Sequence, residues 1–433
     1  MPQPTLRIAK IFLVLAAAFP AAGAFSTAGG ATAPAADAVL ATYADIAKAG
    51  YEDSLDSAKA LQKSIEALLD SPSADALAAA RQAWIDARVP YMQTEAYRFG
   101  NPIVDDWEGR VNAWPLDEGL IDYVAEAYGS DHPENEFYTA NVIANSTLKI
   151  AGNTVDASEI TPDLIRETLH EAGGIEANVA SGYHAIEFLL WGQDLNGTDR
   201  GAGARPHTDY DLENCSNGNC DRRAAYLRVV TGMLVEDLAW IAEQWGPEGA
   251  ARAAVTENET DGLTALLTGL GSLTYGELAG ERMKLGLMIH DPEEEHDCFS
   301  DNTHNSHHGN ALGIRNVYLG SYKRTDGSVV SGPSVSDLVR AKSPETDDAV
   351  RAAMDKTMAQ MDALVERAKT VEAYDQMIGL GNAEGNAVVQ KTIDLLVAQA
   401  KELERAIAVL DLKGIAFEGS DSLDNPDRVE GAQ

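Results

Sequence analysis

The stretch 387–410, AVVQKTIDLLVAQAKELERAIAVL, sets Val389, Ile393, Leu396, Ala400, Leu403, Ile407 and Leu410 at alternating spacings of four and three. That rhythm lays one apolar stripe along a helix; strand side chains alternate every two residues and cannot use it. The same reading extends upstream. Val39, Tyr43 and Ile46 open one amphipathic stretch, and Leu61, Ile65 and Leu68 continue it after a break near Gly50. Leu77, Trp84, Arg88, Tyr91 and Glu95 share a face of the next helix, with Pro90 bending it. Alternating strand patterns are scarce, so the expected class is all-α, two helical-bundle domains.

Residues 197–222, GTDRGAGARPHTDYDLENCSNGNCDR, break the periodicity with turn formers and charge, and a second break runs from Gly327 to Asp347. The expected organisation is an N-terminal bundle over 37–198, a linker loop over 199–222, a C-terminal bundle over 223–415 and a polar tail over 416–433. At the start of the chain, Arg7 and Lys10 precede the apolar IFLVLAAAF, and Ala22-Gly23-Ala24 follows. This is the layout of a cleavable secretory signal over 1–24, with a flexible leader over 25–36. No later run is apolar for eighteen residues, so no further membrane span is expected.

Sixty-eight acidic against thirty-three basic residues give a formal charge of −35. Such a field repels nucleic acid and anionic membranes and draws in cations. Export makes a disulfide between Cys215 and Cys220 reasonable across the turn-rich SNGN; so short a loop contributes only about 2 kcal/mol. Cys298 is left as a free thiol.

Several side-chain groups could carry chemistry. In SGYHAIEFLLWGQD (181–194), His184 and Glu187 stack on one helix face inside an apolar run. A buried charge needs a counter-charge or a metal, so the pair is either a core ion pair or two metal ligands. A zincin pattern would need a second histidine, which is missing here. In RVPYMQTEAYRFG, Glu95 is a further carboxylate, with Arg88 or Tyr91 placed to hold it, or all three form an intrahelical ion pair with a packed tyrosine. Asp117 and Glu118 suit the dipole of the helix they open, and Glu118 is a weaker ligand candidate. HDPEEEHDCFSDNTHNSHHGN (290–310) holds five of the nine histidines among acids. His296, Asp301 and His304 are weaker metal candidates in this loop over 290–308. Phosphate-binding glycine loops, a haem attachment motif and a serine-hydrolase elbow are absent from the sequence.

Together, GYHAIEFLLWGQD with its G-x-H-x-x-E, ARVPYMQTEAYRFG, GRVNAWPLDEGLIDYV and EEEHDCFSDNTHNSHHGN resemble the imelysin family, in the branch of iron-regulated protein A-like proteins. The resemblance spans nearly the whole chain after residue 24. It implies two four-helix-bundle-like halves, a periplasmic or envelope location in a bacterium, and a link to iron uptake. It also implies that His184 and Glu187 are metal ligands, with Glu95 next. Members have been classed as metallopeptidases on this motif. One imidazole with several carboxylates suits iron, while zinc and copper stay open. Three functions follow: an iron-binding accessory of uptake partnered by an envelope transport protein, a metal-dependent peptidase, or an envelope interaction protein with a structural His/Glu pair.

Overall fold

The computed structural model of the protein describes residues 33–430 apart from 131, 134 and 151. The expected signal over 1–24, and most of the leader, lie outside the described residues. Helix α1 (Ala36–Asp70) runs unbroken through Gly50, because its buried face continues through Tyr51, Ser54 and Ala58. Helix α2 (Ala74–Thr94) starts where Ser73 Oγ accepts from the Ala76 amide, satisfying one of the free donors of a helix start. It packs along α1, and α3 (Pro102–Asn112) follows.

A short hairpin, β1 (Thr147–Ile150) with β2 (Asn153–Asp156), precedes α4 (Gly182–Trp191) and α5 (Cys220–Gln244). Next come α6 (Glu259–Ser272), continued by a π-helical stretch Leu273–Leu285, and α7 (Thr303–Leu319). The hairpin β3 (Ser321–Lys323) with β4 (Val329–Ser331), then α8 (Val335–Lys342), occupy most of the break expected over 327–347. Helices α9 (Pro344–Thr370) and α10 (Ala383–Leu410) complete the frame. The class is all-α. Among the described residues no helix is long and apolar enough to cross a membrane.

Two apolar cores organise these helices. The larger gathers α1 to α5 around Trp84, Trp107 and Trp245. The smaller joins Leu278 and Met283 to Met361, Leu364, Met377, Val389, Ile393 and Leu396. The stripe on α10 serves both: Val389, Ile393 and Leu396 enter the smaller core, and Leu403 and Ile407 enter the larger.

The loop before α5 is pinned by buried charge. Arg205 and Arg223 both bind Asp122 Oδ2, at 2.7 and 2.6 Å, and Arg205 also reaches Asp209. Cys215 and Cys220 are joined in a disulfide, and Cys298 is free. Residues 416–430 differ from a simple polar tail. Glu418 donates its amide to Ser272 Oγ (3.0 Å), and Ser422 Oγ donates to the Gly280 carbonyl (3.1 Å). A Cβ at Gly271 would meet the Phe417 ring at 1.8 Å, so bare glycine backbone makes the groove in which this segment lies.

Candidate metal centre

The site begins with a glycine. Gly182 opens α4 at φ +82°, and a Cβ there would stand 2.5 Å from the Val111 carbonyl oxygen at the end of α3. Only glycine lets the chain turn into the helix while pressed on that backbone. Gly182→Ala is therefore expected to cost about 2–4 kcal/mol from backbone strain and overpacking, read as a lower urea midpoint; an unchanged midpoint would refute the packing argument.

From that start, His184 and Glu187 fall on one face, both buried, with Nδ1 and Oε2 3.0 Å apart. The other carboxyl oxygen of Glu187 accepts from the Ser300 amide (3.0 Å) and hydroxyl (2.6 Å). Nε2 of His184 has no hydrogen-bond partner although it is buried. The His296 ring stands edge-on to it, with centroids 4.8 Å apart. Ligating atoms of His184, His296 and Asp297 lie within 4.8 Å of one another. The second histidine missing from the α4 motif is thus supplied in space by the loop before α7.

Asp297 is already well satisfied. Its Oδ1 accepts from Arg88 Nη2 (2.8 Å), and its Oδ2 from Asn302 Nδ2 (2.8 Å) and the Ser306 hydroxyl. Arg88 also donates from Nη1 to Asn112 Oδ1 (2.6 Å), and its Nη2 is 3.1 Å from His296 Nδ1. The Trp84, Tyr91 and Tyr183 rings enclose the guanidinium.

Electrostatics follow from this enclosure. Burial, then the Arg88 charge, pushes His184 down to about 3, and burial holds His296 well below its usual range, so both imidazoles are neutral. Burial and the neighbouring Asp297 push the Glu187 carboxyl up. Burial alone would raise Asp297 too, but Arg88 and the His296 contact hold it well below the carboxylate range.

The other residues named from sequence are dispersed. Glu95 sits apart from this cluster, taking Arg282 Nη2 at 2.7 Å, and Arg88 turns to Asp297 instead of holding it. Two helical turns, about 10 Å, separate positions 88 and 95, and α2 gives way to a 3₁₀ turn at Glu95. Tyr91 packs tilted against Tyr183, its hydroxyl unpartnered. Glu118 is buried beside Gln193, outside the cluster. The histidine-rich stretch is not one loop, since α7 starts at Thr303. His304 and His307 are buried on α7, pushed down by burial to about 4 and about 3. His290 meets the Ile378 carbonyl, and His308 pairs with Asp362. Asp301 joins Asp194 and Asp375 in a separate carboxylate group. Asn112, Ser300 and Asp375 carried no sequence signal of their own; Asp297 was visible only as one acid among many in the histidine-rich stretch.

A cavity of about 410 Å³ reaches Asn112 and His296, and six glutamates, Glu108, Glu171, Glu176, Glu277, Glu281 and Glu294, line it against Arg98 and Arg282. A mouth so acidic concentrates cations. Two neutral imidazoles and one carboxylate, with one nitrogen lacking any partner, form a donor set that fits a transition metal. Two histidines with a carboxylate suit iron(II), and zinc accepts the same donors.

The family model described as imelysin matches residues 47–403. A solved iron-regulated protein A precursor from Parabacteroides distasonis superposes with a TM-score of 0.58 at 20% identity, covering 87% of this chain and 96% of that one. An imelysin-like protein from Psychrobacter arcticum superposes with a TM-score of 0.56 at 15% identity, covering 89% of this chain and 99% of that one. No curated protein matches the chain.

Proposed function

The chain belongs to the imelysin family, and on that footing we propose that it captures iron, or another transition metal, reversibly as an accessory of iron uptake. Its place of work is the periplasm or cell envelope, where an iron-transport protein would receive the metal. The observation that carries this reading is the unpartnered, buried Nε2 of His184 beside His296 and Asp297. Arg88 is the counter-ion of Asp297. An incoming cation competes with that guanidinium, which weakens binding and favours release. A carrier needs both. The similarity to an iron-regulated protein A precursor supports the same direction.

When bound, the metal would be held by His184, His296 and Asp297 and would supply a Lewis-acid or redox centre. Glu187 orients the His184 ring, Ser300 fixes Glu187, and Arg88 balances Asp297. A peptidase would also need a free general base beside the metal. Glu187 is engaged at both oxygens, which counts against that reading.

Calorimetric titration of the metal-stripped protein with iron(II), iron(III) and zinc tests the proposal, with His184→Ala alongside. One equivalent of iron is expected to bind, with affinity reduced at least about tenfold in the variant. Equal affinity in the variant would remove His184 from the site, and no binding of any of the three ions would end the capture reading.

A further inference from the structure

We propose that Asp194, Asp301, Asp375 and Glu295 form a second cation site, taking a hard divalent ion of the calcium class. Carboxylate oxygens of Asp194, Asp301 and Asp375 converge to within 4.8 Å of one another. They come from three places in the chain: the turn after α4, the loop before α7, and the short helix Tyr374–Ile378. Asp194 is fixed there by accepting from the Asn196 amide at 2.9 Å. Asp375 is only 2% exposed, yet neither of its oxygens makes a well-formed hydrogen bond, only its own amide and that of Gln376 lying near, and Asp301 Oδ1 lacks a partner.

Glu295 points to a ligand independently of this trio. It is 1% exposed, its oxygens make no well-formed hydrogen bond and are approached only by the Thr303 hydroxyl, and it lines the same small cavity as Asp194 and Asp375. A buried carboxylate without a partner is costly, and several around one void repel each other besides. Neither lysine nor arginine is among the residues lining that cavity. A bound cation would resolve the arrangement; without one, burial and mutual repulsion push these carboxyls up, Asp301 and Asp375 to about 7.

The size and chemistry of the void choose among cations. At about 10 Å³ it holds about one water-sized particle, so an ion must enter nearly stripped of its hydration. Calcium accepts carboxylates in irregular, dehydrated geometry, whereas magnesium keeps its waters. Cys298 also lines the cavity, but one thiol among carboxylates leaves the donors dominated by oxygen. This site does not depend on the iron reading: it shares no ligand with the histidine cluster.

The test is calorimetric titration of the chelator-treated full chain with calcium chloride, together with thermal unfolding. One equivalent should bind with Kd below about 1 mM, and Tm should rise on binding. Asp375→Asn should weaken binding at least about tenfold and abolish the rise, while its calcium-free Tm matches or exceeds that of the parent because a buried repulsion is gone. Asp301→Asn, at a less buried position, should weaken calcium binding in the same way. His184→Ala should keep calcium binding. No binding at about 1 mM, or parental affinity in both aspartate variants, would overturn the site. Zinc binding that Asp375→Asn removes, with no calcium binding, would overturn the calcium assignment.

Discussion

Replacing Arg88 by Met is expected to lower the stability of the metal-free protein by about 3–5 kcal/mol and to tighten its grip on metal. Methionine fills much of the space between the Trp84, Tyr91 and Tyr183 rings, so packing loss is the smaller part. The larger part is Asp297, which loses its buried ion pair and keeps Asn302, Ser306 and the contact with the neutral His296 ring. An unpaired buried carboxylate is the costly state, and a divalent cation beside two neutral imidazoles relieves it. Denaturant titration with and without iron(II) or zinc should therefore show a larger metal-dependent gain in the variant than in the parent. Weaker metal binding in Arg88→Met would mean that the arginine builds the site and does not compete for it.

Glu187→Gln should reduce metal affinity by about 10–100-fold with little change in stability, for a reason specific to hydrogen direction. The Ser300 amide and hydroxyl both donate to Oε1, so the glutamine carbonyl must lie there. Its NH₂ group then faces His184 Nδ1, which has to accept. The imidazole proton moves to Nε2 and occupies the lone pair a metal needs. With Glu187 ionised, Nδ1–H donates to Oε2 and Nε2 stays free. Measured affinities that match between parent and variant would show that the tautomer of His184 is irrelevant to binding.

Much of the frame could be read from sequence because long helices repeat their instructions. The stripe on α10 states its period six times across seven residues, and α1 and α2 carry stripes nearly as long. The hairpins state theirs over three or four residues, too few to stand out. Gly50 misled because glycine disfavours helix locally, while the buried residues on either side of it carry α1 through. At the site, His184 and Glu187 were legible because two polar groups in an apolar helix demand an explanation. The partners that give it were not. Arg88 reaches Asp297 across 209 positions of sequence, and no local pattern encodes that contact. The same distance effect misdirected Glu95, whose nearest cation in sequence is not its partner in space; Arg282, from the π-helical stretch, takes it.

The loop before α7 faces two ways within seven residues. His296, Asp297 and Ser300 turn to the histidine cluster, while Glu295 and Asp301 turn to the carboxylates. Since these neighbours share one backbone, a displacement that suits one face is transmitted to the other. Ions bound at both proposed faces would then be thermodynamically linked. Whatever factor one ion imposes on the affinity of its neighbour, the neighbour must impose in return. A protein built this way would have its hold on one metal set by the ambient concentration of another.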